Sequence, residues 1–396
     1  MAAVIAESDE YGQLNVTGVA ECPAEGLRKG VVVNIDKTVS AIQQCMVVAE
    51  RMAGVRTDAA IVSLAGPHIT AQSSHGVIAV SRPDHEIGAD DVRRVVDASR
   101  AVSVPNDRQV IHVLPRAYTV DGQEGVKDAV GMTGHRLEVE TEIVTGSTTS
   151  VQNVIKCVHQ AGFDVDEVVT QGLAAGESVL TGNEIDLGVC LVDIGAGTTD
   201  VVVYHEGGPL HLAVLPLGGN HVTSDVAIGL RTTLTEAEML KLNYGHTLPD
   251  VIAPEEKIDV RLVGGDRQQA TPRRYLADII GPRMREIFLL AREEVRRSGF
   301  DGMLPAGVVV TGGGARLMGT VDAAQAVFDA AVRLGLPAGV GGLADRVAAP
   351  SYAAAVGLVR WGTRVPALAG EGAPALQQPA LAGASQKVVR WLRDFF

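Results

Sequence analysis

The stretch that decides the fold runs from Gly188 to Tyr204 and reads GVCLVDIGAGTTDVVVY. An apolar, β-branched run ends at Asp193, and a turn rich in glycine and threonine follows it. A second apolar run begins directly after Asp200. Runs of this composition on either side of a glycine turn are typical of paired strands. The pattern therefore predicts two buried strands joined by a tight turn, with one carboxylate on each side of that turn.

The composition of this turn suits a triphosphate. Gly195 and Gly197 allow backbone N–H groups to approach phosphate oxygens closely, and Thr198 and Thr199 add hydroxyl donors. Asp193 ends a buried strand and is therefore placed to hold a magnesium ion through water. A plain hairpin with a glycine turn is the alternative, and the two Asp residues that frame the turn disfavour it.

A second glycine loop, Val308 to Thr320, reads VVVTGGGARLMGT. Three consecutive residues, Gly312, Gly313 and Gly314, would let the backbone lie flat against a nucleotide base or ribose. The loop is a weak signal by itself, because many α/β strands end in glycine. It is not a dinucleotide GxGxxG motif, since Leu317 occupies the sixth position, and the chain contains no GxxxxGK[ST] or GxSxG motif.

Short β-branched runs alternate with longer helical stretches along most of the 396 residues. This rhythm predicts an α/β architecture, and the length predicts at least two domains. Between about Ala71 and Gly146 the order changes to strand, helix, strand, strand. This part of the chain is predicted to be a small α+β module inserted into the larger α/β unit.

Overall composition excludes several classes of function. The net charge of −13 argues against a general nucleic-acid partner, because phosphate backbones require clustered Lys and Arg. The cysteines are far apart and are expected to be buried thiols of a reducing compartment. The N-terminus does not resemble a signal peptide, and no apolar stretch reaches 18 residues, so any membrane contact is expected to be peripheral.

The C-terminal 32 residues after position 364 divide into two parts. Residues 365–383, rich in Ala, Gly, Pro and Gln, predict a flexible linker. Residues 384–396 end in SQKVVRWLRDFF and predict an amphipathic helix. Its apolar face comprises Val388, Val389, Leu392, Phe395 and Phe396, with Trp391 at the border and Lys387, Arg390 and Arg393 on the polar face.

A basic face, an apolar face and a border Trp suit a helix that lies on an anionic membrane surface. Burying five large apolar side chains is worth roughly 8–15 kcal/mol, and ordering the helix costs a similar amount. One copy should therefore bind weakly, and several copies in one assembly should bind firmly. The alternative is a final helix that packs on the protein's own core.

The two glycine loops together resemble the phosphate-2 and adenosine motifs of the actin/Hsp70 ATPase superfamily. Between them, Gly218 and Gly219 resemble the glycine pair that faces the phosphates in that superfamily. Glu238 and Lys241, in the stretch AEMLK, resemble an AExxK element whose Glu and Lys reach the nucleotide. In isolation, Glu238 and Lys241 would be interpreted as an ordinary exposed helix pair; the order of all four motifs supports the resemblance.

Within the superfamily, the whole chain resembles the FtsA family of bacterial cell-division proteins. Further matching stretches are SLAGPHI at 63–69, HVLP at 112–115, DAVGMTG at 128–134 and YAAAVGL at 352–358. The resemblance implies an actin-like two-domain ATPase fold with an inserted subdomain 1C. The implied boundaries are 1–71, 149–187 and 341–364 for subdomain 1A, 72–148 for 1C, 188–224 and 304–340 for 2A, and 225–303 for 2B.

The resemblance also implies function. It implies binding of ATP and Mg²⁺, head-to-tail polymers of the chain itself, and recruitment of later division proteins through subdomain 1C. It implies attachment of the tubulin-like protein FtsZ to the cytoplasmic face of the cell membrane at the division site, with the terminal helix as membrane anchor. The FtsZ C-terminal tail would meet subdomain 2B, where Arg283 and Glu286 lie in the similar stretch; a solvated helix face is the alternative for that pair.

The sequence departs from the family in one respect. A first phosphate hairpin with a DIG[ST] turn should open the chain, and residues 1–7 resemble only its second strand. Either the working start lies upstream, which we favour, or the loop has been lost. A chain that begins at Met1 would lack one strand of the first sheet and half of the phosphate clamp.

Catalytic activity is expected to be weak at most, with ATP acting mainly as an assembly ligand. Glu177 is the candidate for orienting an attacking water, and a surface carboxylate is the alternative for it. Two other members of the superfamily are alternatives for the whole chain, a sugar-kinase-like enzyme and a pilus-assembly ATPase. Neither would normally need the tethered basic helix.

Overall fold

The computed structural model describes residues 1–264 and 268–363. The strands are β1 (Ala2–Ser8), β2 (Leu14–Glu21), β3 (Leu27–Arg28), β4 (Val31–Val32), β5 (Ala59–Leu64), β6 (Thr70–Ala79), β7 (Arg108–Val120), β8 (Gln123–Val126), β9 (Arg136–Ser147), β10 (Asp164–Thr170), β11 (Val189–Ile194), β12 (Thr199–His205), β13 (Gly208–Leu215), β14 (Lys257–Arg261), β15 (Gln268–Pro272), β16 (Val308–Thr311), β17 (Val332–Leu334) and β18 (Gly341–Gly342). The helices are α1 (Ile35–Ala53), α2 (Ala89–Ser99), α3 (Thr148–Ala161), α4 (Gln171–Val179), α5 (Gly182–Leu187), α6 (Gly219–Leu230), α7 (Leu234–Tyr244), α8 (Arg273–Arg297), α9 (Thr320–Phe328), α10 (Ala344–Val347) and α11 (Ala353–Gly362).

The predicted hairpin lies at the centre of the second half of the chain. Its five-stranded sheet has the order β13-β12-β11-β16-β17, with β11 antiparallel to β12 and parallel to β16. Every residue of β11 is buried, as expected for a strand paired on both edges and covered on both faces. The register places Asp193 directly opposite Asp200. The prediction of two buried strands with an aspartate on each side of the turn is confirmed.

Helix α8 supplies much of the core beneath this sheet. Its buried residues include Leu276, Ile280, Met284, Ile287 and Ala291, spaced three or four apart. That spacing gives one continuous apolar face on a helix that is otherwise charged. The face packs with α6, α7 and the inner side of the sheet in a single hydrophobic cluster.

The first half of the fold, residues 1–187 and 341–363, contains two smaller sheets, whereas the five-stranded sheet lies in the second half, residues 188–340. One has the order β1-β2-β18, and the other is the parallel pair β5 and β10. In the second half, β11 joins the hairpin β12–β13 to the parallel pair β16–β17 in one sheet. In the first half, the hairpin β1–β2 and the parallel pair β5–β10 belong to separate sheets. Over residues 1–264 and 268–363, β1 and β5 each pair along one edge only. Within β5, only Leu64 is fully buried.

The inserted module is a four-stranded antiparallel sheet, β6-β9-β7-β8, with α2 packed on β6 and β9. Two details differ from the sequence prediction. Residues 108–120 form one strand, where separate strands at 109–114 and 118–120 were predicted, and neither β8 nor β9 was predicted. β7 accommodates Pro115 at an irregularity in the register between Pro115 and Ala117.

Helices α4 and α11 cross each other between the sheets. A Cβ on Gly357 of α11 would overlap the carbonyl oxygen of Ala174 in α4, so the two backbones are in direct contact. The hydroxyl of Ser178 donates to the carbonyl of Ala353 at 2.6 Å. Small residues on both helices thus allow α4, which follows β10, to pack closely against α11.

We predict that Gly357→Ala destabilises the protein by about 3 kcal/mol, because the added methyl group must push two buried helices apart. Urea unfolding followed by circular dichroism measures the change. Gly182→Ala is the matched control, since nothing lies within 4 Å of a Cβ built on that residue. Equal unfolding midpoints for Gly357→Ala and the control would contradict the close contact.

None of the helices in residues 1–264 and 268–363 combines the length and the apolar character that crossing a bilayer requires. The linker predicted at 365–383 and the amphipathic helix predicted at 384–396 lie outside the described residues.

Candidate nucleotide-binding site

Two buried carboxylates mark the C-terminal end of β11. Asp193 is 2% exposed, and its Oδ2 accepts a hydrogen bond from Nε2 of Gln171 at 3.0 Å. Asp200 is completely buried, and neither of its carboxylate oxygens has a well-formed hydrogen bond to the described residues. Burial raises the pKa of Asp193 to about 6. Burial and the charge of Asp193 raise the pKa of Asp200 well above its usual value, and the nearby N–H of Gly172 opposes that rise only in part.

The glycine turn and the first turn of α6 are in direct contact. Gly195 N–H donates to the Thr198 carbonyl at 2.9 Å and so closes the turn. Gly219 and Asn220, at the N-terminus of α6, donate to the carbonyls of Gly195 and Ala196 at 2.9 and 2.7 Å. A Cβ on Gly218 would lie 2.6 Å from the Gly195 oxygen. The structure therefore brings the predicted phosphate turn and the predicted glycine pair together.

The two threonines of the turn have different positions. The Thr199 hydroxyl donates to the Leu217 carbonyl at 2.9 Å, and the side chain is fully buried. This hydroxyl therefore anchors the segment before Gly218, and as placed it cannot also donate to a phosphate. Thr198 lies one residue earlier, in the turn itself, and is 4% exposed.

Of the pair Glu238 and Lys241, only Lys241 is largely buried, and the Glu238 side chain is 41% exposed. Lys241 Nζ lies 2.7 Å from Glu238 Oε2 and also donates to Thr223 Oγ1 at 2.9 Å and to the Gly219 carbonyl at 3.2 Å. Its side chain is 12% exposed. The pair on α7 therefore borders the same first turn of α6 that contacts the phosphate turn, which favours the site interpretation of these residues.

The second glycine loop meets the first at Asp193. Gly312 has a φ of +86°, and a Cβ on it would overlap Asp193 Oδ1. A Cβ on Gly314 would overlap the side chain of Ile194, whereas a Cβ on Gly313 would face open space. Two of the three glycines are thus explained by close approach to the end of β11. Sites at the carboxyl ends of parallel strands, here β11 and β16, are common in α/β folds.

The sequence prediction named Glu177 as the candidate for orienting water and did not name Gln171. Both lie on α4, but Glu177 is six residues further along, about 9 Å down the helix axis. The structure places Gln171, the first residue of α4, beside Asp193. The available signal was its position at the junction of a β-branched strand and a helix.

Arg283 and Glu286 lie on α8 in a separate ion-pair network. Arg283 Nε contacts Asp225 Oδ2 at 2.6 Å, and its Nη2 donates to Asp225 Oδ1 at 3.2 Å. Its Nη1 donates to Glu286. The network holds α8 against α6, and an external carboxylate would have to compete with Asp225 for the guanidinium. Their assignment to a partner surface stays a prediction.

We predict that Asp200→Asn stabilises the ligand-free protein by about 1–2 kcal/mol at pH 7, because it removes one of two buried acids. A carboxyl group whose pKa is raised by folding favours the folded state at low pH, and this advantage is lost as the pH rises through the folded-state pKa. The stabilisation by Asp200→Asn should therefore vanish below about pH 4 and increase as the pH rises toward 7.

Thermal unfolding at several pH values measures this gain. Asp259→Asn, at an exposed position of β14, should leave the stability unchanged. If Asp200→Asn were no more stable than the wild type at pH 7, the buried pair would not be costly.

The fold resembles that of a chain in the PilM-PilN type IV pilus biogenesis complex, with a TM-score of 0.65 over 92% of this chain and 96% of that one, at 18% identity. The sheet topology and the glycine loops at the end of β11 are those of an actin-like ATPase fold. A family model for the SHS2 domain inserted in FTSA matches residues 66–145, and the model for cell division protein FtsA matches residues 190–357. The chain belongs to the FtsA family of cell division proteins.

Relatives over nearly the whole chain support this membership. Cell division protein FtsA of Pseudomonas aeruginosa is 43% identical over 91% of this chain and 86% of its own length. FtsA of Escherichia coli is 37% identical over 91% and 87%, and FtsA of Bacillus subtilis is 40% identical over 89% and 78%. The chain therefore has a role in cell division, and the kinase and pilus-assembly alternatives are not favoured.

Proposed function

We propose that this division protein binds Mg–ATP at the end of β11, polymerises with the nucleotide as assembly ligand, and tethers the FtsZ ring to the cytoplasmic face of the cell membrane. The observation that supports nucleotide binding is the convergence of Asp193 and Asp200 with two glycine loops and the N-terminus of α6. Family membership supports the division role.

The chain's own groups suit a phosphate chain. The N-terminus of α6 carries partial positive charge, and the turn at 195–198 packs directly on it. Lys241 places an ammonium group at the same helix turn, where it is paired with Glu238 and donates to Thr223. Gly313 leaves space beside the end of β16 for a base or ribose.

The two buried carboxylates suit Mg²⁺. Both have raised pKa values in the ligand-free site, so a cation would favour their ionised forms. Over the described ranges, no cluster of three or more His, Cys, Asp or Glu side chains could hold a metal by itself. A magnesium ion would therefore take its other ligands from water and nucleotide oxygens, as this ion usually does, and would supply positive charge to the phosphates.

Slow turnover fits the side chains at this position. The group beside Asp193 is the amide of Gln171, which can orient a water molecule but is not a base. Glu177 lies almost two helical turns away along α4. We therefore propose that ATP acts mainly as a ligand for assembly, with weak hydrolysis at most.

Asp193→Asn should lower the affinity for ATP at least tenfold when Mg²⁺ is present, because it removes one charge that faces the cation. With EDTA in place of Mg²⁺, the variant should bind ATP at least as tightly as the wild type, because a carboxylate without the cation only repels the phosphates. Isothermal titration calorimetry measures both values, and Asp259→Asn should behave as the wild type. An unchanged Mg²⁺ dependence in Asp193→Asn would contradict the proposed cation site.

Attachment to other partners is proposed from sequence and family. We propose that the FtsZ C-terminal tail binds near Arg283 and Glu286 on α8, that later division proteins bind the inserted module at 72–148, and that residues 384–396 bind an anionic membrane surface. The guanidinium of Arg283 is a suitable ligand for an acidic tail, although Asp225 occupies it in the free protein.

Removal of residues 384–396 should abolish binding to vesicles of phosphatidylglycerol and phosphatidylethanolamine, while the full chain sediments with them. Binding of the full chain should weaken as salt rises or when phosphatidylcholine alone is used. A charge-reversed control, Arg390→Glu with Arg393→Glu, keeps the apolar face and should also fail to bind. Equal sedimentation of the shortened chain would contradict the anchor.

A further inference from the structure

The hairpin β3–β4 extends from the first half to the phosphate turn of the second half. A Cβ on Gly197 would lie 2.9 Å from the Cα of Lys29 and 3.1 Å from its backbone nitrogen. Lys29 and Gly30 form the tip of the hairpin, because Arg28 pairs with Val31. Gly197 is therefore required by the approach of this tip.

The other side of the hairpin is fixed to the first half. A Cβ on Gly30 would lie 2.6 Å from the carbonyl oxygen of Ala65, just after β5. Val33 N–H donates to the Gly26 carbonyl at 2.8 Å, and the side chain of Asn34 caps α1 by accepting from Lys37 N–H at 3.0 Å. The tip is thus a rigid extension of the first half.

The residue type at the tip is not the one that the backbone favours. Lys29 and Gly30 both have positive φ, +50° and +76°. A two-residue hairpin turn of this kind prefers Asn, Asp or Gly at its first position, since other side chains are strained there. Lysine at position 29 therefore has a cost in the free protein, and strain of this kind is concentrated at functional sites.

Lys29 has no counter-charge among residues 1–264 and 268–363. The ammonium lowers the pKa of His221, after the larger effect of burial, so it acts on the first turn of α6. That helix end is itself positive, and His221 Nδ1 accepts from Gly218 N–H there at 3.1 Å. Among the residues that the structure describes, no carboxylate forms an ion pair with Lys29, whereas Lys241 is paired with Glu238. An anion between these positive groups would relieve their repulsion.

We propose that Lys29 binds the phosphate chain from the first half and makes the site prefer a triphosphate over a diphosphate. This rests on the proposed nucleotide site, since the same turn at 195–198 would hold the phosphates. The triphosphate carries more negative charge, so an unpaired cation gains more from it than from a diphosphate. Because the tip continues through Asn34 into α1, the first half is joined directly to the bound phosphates.

Lys29→Asn tests this role without harming the fold, since Asn suits the turn better than Lys. Its melting temperature should equal or exceed that of the wild type. Its affinity for Mg–ATP should fall about tenfold, and its affinity for Mg–ADP should fall less, so that the preference for ATP shrinks. Lys29→Arg should keep the preference. Lys37→Gln removes one exposed positive charge from the same half and should bind both nucleotides as the wild type does.

The outcomes separate this role from the nucleotide site itself. If wild type binds Mg–ATP and Lys29→Asn keeps both affinities, the role of Lys29 is wrong and the site stands. If Lys37→Gln loses affinity as much as Lys29→Asn, a general charge effect replaces the specific contact. If the wild type binds no nucleotide, the proposed site and the role of Lys29 both fail.

Discussion

The contact between α4 and α11 at Ala174 and Gly357 positions the rest of the structure. Helix α4 starts at Gln171, whose amide holds Asp193, and it carries the chain from the first half into β11. Helix α11 touches both β1 and β5, the strands of the two small sheets. A single added methyl group at Gly357 would push the two helices apart. The spacing of the helices therefore determines where Gln171 lies relative to Asp193.

The carboxylates make the site unfavourable without a ligand. Asp193 and Asp200 are neighbours in register and are removed from water by the sheet and by Gly312. Two buried acids without a cation cost folding free energy, so anything that neutralises them also stabilises the fold. Binding of the proposed ligand would therefore be coupled to stability in the second half, and the proposed role of Lys29 would extend that coupling to the first half.

Local patterns in the sequence predicted the parts of the site, and contacts between distant segments decided the rest. The strand ending at Asp193 and the glycine loops depend on residue type and spacing, which one segment contains. Gln171 was missed because only the fold brings α4 beside β11, and the direction of the Thr199 hydroxyl depends on Leu217. β7 runs through Pro115 because β9 pairs with residues on both sides of it, which the turn propensity of proline does not reveal.

The edges of β1 and β5 that have no partner within residues 1–264 and 268–363 affect how assembly of this chain is understood. Soluble proteins usually protect strand edges with charge, proline or a covering element, and β5, with the sequence AAIVSL, carries no charged residue. An extended segment whose register fits could pair with such an edge. Contacts between strand edges would be physically distinct from the nucleotide-dependent contacts proposed above. Edge pairing would not respond to ATP, so particle size alone is a poor measure of a functional filament.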